Sequence, residues 1–132
     1  MDRDWRDAAI SGDCARLDAV LADGGHVNAR DKFSQTALML AARHGRADTV
    51  QRLIGAGADL DVTAKYGLSA TMLAVVNHHD AIARALGCAG ADLTLRGTGA
   101  AGFFGKTAAD LAVGNGQPAL AEFLRQAETD SP

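Results

Sequence analysis

Aromatic residues make up only 5% of this 132-residue chain, so its interior cannot be built around large rings. Alanine and glycine are plentiful instead, and small residues let helices approach closely, which suits a core of Ala and Leu. Cysteine is scarce as well. Cys14 and Cys88 lie in different copies of a repeat and form no CxxC pair; nothing suggests a disulfide framework, and the chain reads as reduced, intracellular and cytoplasmic. Both are expected to serve as packing residues. There is no basic excess: the net charge is −3 and the pI is near 5.7, which argues against general nucleic-acid binding. No apolar run approaches the ~18 residues of a membrane span, so no membrane partner is expected. The opening stretch, Met1 to Asp7, has no apolar h-region, so no secretory signal is expected. The remaining balance, 48% hydrophobic and 22% charged, is that of an ordinary soluble domain, and the length fits a single one.

What the chain does have is a period. Thr36-Ala37-Leu38-Met39-Leu40-Ala41-Ala42 returns 33 residues later as Ser69-Ala70-Thr71-Met72-Leu73-Ala74-Val75. Gly57-Ala58-Asp59-Leu60 returns at the same offset as Gly90-Ala91-Asp92-Leu93, and backwards as Gly24-Gly25-His26-Val27. A fourth copy, Thr107-Ala108-Ala109-Asp110-Leu111-Ala112, comes 38 residues after the third, an insertion of five. A fixed period in this range is the signature of a stacked solenoid.

Each copy reads as two short helices and a turn. In the second copy Thr36 is placed to cap a helix, Leu38, Leu40, Ala41 and Ala42 fill its buried side, and Gly45 ends it. Asp48 puts an acid near the start of the next helix, and Val50, Leu53 and Ile54 give it an apolar stripe. The first copy carries Trp5, Ala8, Ala9 and Ile10, then Leu17, Val20 and Leu21. Asp2, Arg3, Arg6 and Asp7 give it the polar outer face of a terminal cap. The third copy is weaker, with Ala83 and Gly87 where the second has Val50 and Ile54. The fourth ends with Leu120, Phe123 and Leu124, and the polar tail from Glu128 to Pro132 is expected to fray.

These residues, with His44-Gly45 and the turn Val27-Asn28-Ala29-Arg30-Asp31, resemble the ankyrin-repeat family over nearly the whole chain. The family pattern is T-P-L-H-x-A with a period of 33. Here Ala37 takes the Pro place, and Met39, Met72 and Asp110 take the His place. The tetratricopeptide alternative has a different period, 34, and lacks the Gly-Ala-Asp turn. The resemblance implies an all-α ankyrin-repeat solenoid. Its single domain, residues 1–132, holds four helix-turn-helix repeats, at about 1–30, 31–63, 64–96 and 97–128, with projecting hairpin fingers.

Two motifs compete with a purely structural reading. Gly97-Thr98-Gly99-Ala100-Ala101-Gly102 fits G-x-G-x-x-G, and Gly105-Lys106-Thr107 resembles the end of a phosphate loop. Both chemistries need a strand before the loop and a helix after it. A solenoid turn precedes this one, so the stretch reads as a longer finger with Thr107 as a helix cap. His78-His79-Asp80 could offer metal ligands, but adjacent side chains diverge and no residue at ligand spacing completes a site. It reads as a polar turn, with Asp80 capping the next helix. No serine or cysteine has the surroundings of a nucleophile.

The family resemblance implies a non-enzymatic protein-binding module, a monomer without cofactors, that binds a partner protein as an adaptor or as an inhibitor of immunity type. The alternative is an enzyme binding a small molecule, nucleotide or metal through the Gly97–Gly105 loop or His78-His79. In the ankyrin arrangement the finger tips and the ends of the first helices line the binding surface. That places Lys32, Phe33, Gln35, Arg43 and His44 there from the second repeat, and Lys65, Tyr66, Leu68, Val76 and Asn77 from the third. The long finger adds Phe103, Phe104 and Lys106. Its two rings are expected to divide, one packing on Tyr66 and the other facing outward. Aromatics on a projecting edge are the usual anchors of protein interfaces.

Overall fold

The computed structural model describes residues 3–22, 26–99 and 102–130, with the side chains of 129 and 130 left out. Gly24, Gly25, Ala100 and Ala101 of the motifs above lie outside the described residues. The helices come in pairs: α1 (Arg3–Ser11) with α2 (Cys14–Ala22), α3 (Ala37–Arg43) with α4 (Ala47–Gly55), α5 (Ala70–Val76) with α6 (Asp80–Cys88), and α7 (Ala108–Gly114) with α8 (Pro118–Asp130). The odd-numbered helices stack on one another in one layer and the even-numbered helices in a second. Between pairs the chain projects as fingers, pinned by single bridges, Arg30 to Thr36 and Gly97 to Phe104.

Local chemistry sets the starts of α3, α5 and α7. Thr36 Oγ1 accepts from the Met39 N–H and Ser69 Oγ from the Met72 N–H, each at 3.3 Å. Thr107 does the same for Asp110, whose carboxylate accepts from the Thr107 N–H in return, a reciprocal capping box. The first helices are small-residue helices packed almost without exposure: every residue from Ala37 to Ala42 is buried, and so is every residue from Ala70 to Val75. Leu17, Val50, Leu53, Ile82, Leu86, Leu120 and Leu124 complete the core from the second helices.

The turn inside each pair needs a left-handed residue. Gly12, Gly45 and Gly116 supply it with φ of 79°, 74° and 74°. In the third repeat the equivalent residue is His78, with φ of 62°. A side chain there carries a strain that glycine does not.

Four expectations need correction. Asp80 is the first residue of α6 rather than its cap; His79 holds the cap position and makes no side-chain cap bond. Cys88 is exposed at the end of α6, so it is not a packing residue, and Cys14 is only partly covered, 3.7 Å from Thr49 Oγ1. The tail is helical further than expected, since α8 runs to Asp130, while Ser131 and Pro132 lie outside the described residues. Gly87 sits in the last turn of α6, and the space it leaves is filled: a Cβ there would lie 3.4 Å from Cε1 of Phe123 on α8.

Candidate protein-binding groove

The fingers are held to the stack by polar ladders that repeat with the period. Asn28 Oδ1 accepts from the Asp59 N–H at 2.8 Å, and Asp61 Oδ1 from the Asp92 N–H at 2.7 Å. Asp59 and Asp92 also accept from Asp61 and Thr94 within their own turns. On the opposite end of the helices a second ladder runs through Arg46, His79 and Gln117, which are equivalent in the three copies. Arg46 Nε donates to the Ile10 carbonyl at 2.8 Å, His79 Nε2 lies 3.2 Å from the Arg43 carbonyl, and Gln117 reaches Asp80.

Asp31 organises the first finger. Its Oδ1 accepts from the N–H groups of Phe33 and Gln35 at 2.8 and 3.0 Å, and Oδ2 takes Arg6 Nε at 3.3 Å. Burial alone would raise its pKa, but the Gln35 and Phe33 amides and the Arg6 charge together hold the carboxyl below its ordinary value. Arg6 is therefore more than part of a solvated outer face: its half-exposed side chain fastens α1 to this finger.

Between the two fingers and the ends of α3 and α5 lies a groove of about 480 Å³. It gathers Phe33, Gln35, Arg43 and His44 from the second repeat with Lys65, Tyr66, Leu68, Val76 and Asn77 from the third. Leu68 is buried and forms floor rather than rim. Lys32, Phe103, Phe104 and Lys106 do not line it. Arg6, Leu40, Ala64 and Leu73 line it without having been expected. The period gave no signal for Arg6, since its equivalents Met39 and Met72 are buried and do not line the groove. Leu40 and Leu73 are core residues whose edges surface on the floor.

The rim is cationic and aromatic. Lys65 Nζ stands 4.9 Å over the Tyr66 ring, and Lys32 Nζ 5.2 Å over Phe33. His44 is held below its ordinary pKa, first by loss of solvation and then by the charges of Arg43, Arg46, Arg6 and His79.

Tyr66 connects the groove to the long finger. Its ring lies 5.7 Å from that of Phe103 at 31°, and a Cβ on Gly99 would come within 3.2 Å of it. Phe104 points away and is 71% exposed, while Phe33 is 55% and Tyr66 37% exposed. The two rings thus divide as expected. Among the described residues, several amides of this loop are already used. Gly97 donates to the Lys106 carbonyl and Gly105 to that of Gly97, both at 2.9 Å, and Thr98 donates to the Tyr66 carbonyl at 2.6 Å. His78 and His79 serve the inter-helix turn and the second ladder rather than facing a common point.

The comparisons with known proteins agree with this architecture. A model of ankyrin repeats in three copies matches residues 6–97. A mitochondrial disaggregase of Bos taurus is 41% identical over 59 residues, 45% of this chain but 9% of that protein. An ankyrin repeat domain-containing protein of Stachybotrys chartarum is 39% identical over 56 residues, 42% of this chain and 3% of that one. The chain therefore spans less than a tenth of these curated relatives. Among solved structures, a chain in the complex of a predatory endopeptidase from Bdellovibrio bacteriovorus with its immunity protein superposes with a TM-score of 0.83 at 28% identity. The match covers 95% of this chain and 63% of that one. Ankyrin repeats imply a protein–protein interaction module. With the family model covering more than two thirds of its length, the chain belongs to the ankyrin-repeat family.

Proposed function

We propose that this chain is a non-enzymatic module that binds one partner protein through the groove and the long finger, and that it acts as an inhibitor of immunity type. The observation that carries the reading is the set of exposed rings on the fingers: Phe33 and Tyr66 line the groove and Phe104 stands exposed on the long finger, all on backbone fixed by hydrogen bonds. Large apolar groups left in water at a rigid edge are favourable only when something covers them. A rigid stack presents them with little ordering cost on binding. The solved complex of an endopeptidase with an immunity protein, matched over nearly all of this chain, favours the inhibitor reading over the adaptor reading.

The test is capture from cells of the source organism with the purified chain as bait, followed by titration of the chain against the activity of the captured protein. Inhibition that saturates at one chain per partner is expected. A partner captured with its activity unchanged would turn the reading to an adaptor. Capture that Phe33→Ala, Tyr66→Ala and Phe104→Ala all leave intact would remove the groove and finger as the binding surface.

A further inference from the structure

The charge of the groove opposes the charge of the chain. The chain carries a net charge of −3, yet no carboxylate lines the groove, while Arg6, Arg43 and Lys65 do. Across the first finger a smaller cleft of about 380 Å³ repeats the pattern, lined by Lys32 and Lys65 and again by no carboxylate. Asp31, the acid bonded to Arg6, has its side chain only 4% exposed and is spent on Arg6 and the finger backbone. The ion pairs Arg16–Asp4, Arg52–Asp18 and Arg125–Asp110 lie on other elements, and among the described residues Arg43 and Lys65 pair with no acid. Lys65 is instead held over the Tyr66 ring, which orders its ammonium without neutralising it. The floor between these cations, Leu40, Leu73 and Val76, is apolar.

We infer that the groove takes an extended acidic segment of the partner protein, with carboxylates on Arg43 and Lys65 and an apolar side chain on the floor between them. This rests on the protein-binding reading above and names its chemistry. The length fits. The groove runs from Arg6 in the first repeat to Asn77 in the third. Packed helices stand 8–10 Å apart, so that run is about 20 Å. An extended chain at about 3.3 Å per residue covers it with roughly six residues. The cations attract the segment from a distance, and the floor and rings hold it.

Selection of random peptides displayed on phage against the purified chain tests this. Enriched sequences should be net acidic with at least one apolar residue between acids. As synthetic fluorescein-labelled peptides they should bind the double variant Arg43→Glu/Lys65→Glu at least about tenfold more weakly than the parent, and their affinity should fall as NaCl rises from about 0.05 to 0.5 M. Arg43→Gln/Lys65→Gln, a milder pair, should give an intermediate loss with an unchanged melting temperature. Neutral or basic sequences that bind and are displaced by Phe33→Ala or Tyr66→Ala would overturn the acidic assignment and leave the protein-binding groove standing. Enriched peptides whose affinity none of these substitutions alters would overturn both. A labelled single-stranded oligonucleotide that binds the parent more tightly than the acidic peptides, and is lost in the charge-reversed variant, would reassign the cations to nucleic acid and overturn the proposal.

Discussion

Gly45 and His79 touch across successive repeats: a Cβ on Gly45 would lie 2.7 Å from Cε1 of the imidazole. Gly45 also has φ of 74°, so it serves two needs, the left-handed turn and the seat for the ring of the next repeat. Gly45→Ala is expected to destabilise by about 1–3 kcal/mol, through strain at that φ and displacement of His79. His79→Ala should cost less, since it removes one exposed hydrogen bond and leaves the turn intact. Urea denaturation of both variants checks the order; equal losses would mean that the contact, not the turn, dominates.

His78 occupies the place that Gly12, Gly45 and Gly116 hold in the other repeats, with φ of 62°. His78→Gly should therefore raise stability by about 1 kcal/mol, less the entropy that glycine adds to the unfolded chain. A fall in melting temperature would show that the imidazole makes an interaction worth more than the strain.

The period made most of this fold legible. Thr36, Ser69 and Thr107 could be placed as caps, and the glycines as turns, because each copy supports the register of the others. The finger rings were legible for a related reason: Phe33, Tyr66, Phe103 and Phe104 are not required by the repeat. What the sequence concealed was polar. The ladder from Asn28 to Asp59 and from Asp61 to Asp92 uses residues that look like ordinary turn formers, and only the stacking shows that their carbonyl and carboxylate oxygens reach the next repeat. Arg6 was hidden because a charged residue on a terminal helix reads as solvated, while its acceptor, Asp31, lies 25 residues away. Asp80 looked like a cap from its type alone; position decides capping, and it falls one residue too late.

Acid should loosen the first finger. The Asp31 carboxyl lies below its ordinary value of 3.8, so its contribution is complete above that value and is lost as pH falls through the lower folded-state value. Asp92, lowered by bonds from Thr94, and Asp110, lowered chiefly by the Thr107 amide, act in the same direction. Asp31→Asn should lower stability by about 1–3 kcal/mol at neutral pH. The gap from the parent should narrow as pH drops below 3.8. Thermal melts at a series of pH values measure it, and a gap constant with pH would mean that the carboxylate charge is not what holds the finger.

The third repeat should open before the second. Helices α4 and α6 each bury three residues, Thr49, Val50 and Leu53 against Ile82, Ala83 and Leu86, but α4 also packs Ile54 where α6 has Gly87. Gly87 contributes no side chain, and its place is taken by Phe123 from α8, whose ring also carries Arg84 at 4.9 Å. Amides at 80–88 should exchange faster than those at 47–55. Phe123→Ala should widen the difference while costing roughly 2–3 kcal/mol overall. If Phe123→Ala speeds exchange in α8 but leaves α6 unchanged, the ring does not support Gly87.

The two rings of the long finger should separate cleanly on substitution. Phe103 packs on Tyr66, is partly buried, and has Gly97 so close beneath it that a Cβ on that glycine would lie 2.3 Å from the Phe103 carbonyl oxygen. Phe104 stands free at 71% exposure. Phe103→Ala removes the stacked pair and is expected to cost about 1–3 kcal/mol of stability, because the finger loses its main apolar contact. Phe104→Ala should change stability by less than about 0.5 kcal/mol, yet weaken binding of the captured partner by about 2 kcal/mol or more, as loss of an anchor does. Calorimetric melting and titration of the same two variants decide it. If Phe104→Ala leaves the partner's affinity intact while Phe103→Ala only lowers the melting temperature, the finger is packing, and the partner is held by Phe33, Arg43, Lys65 and Tyr66 in the groove.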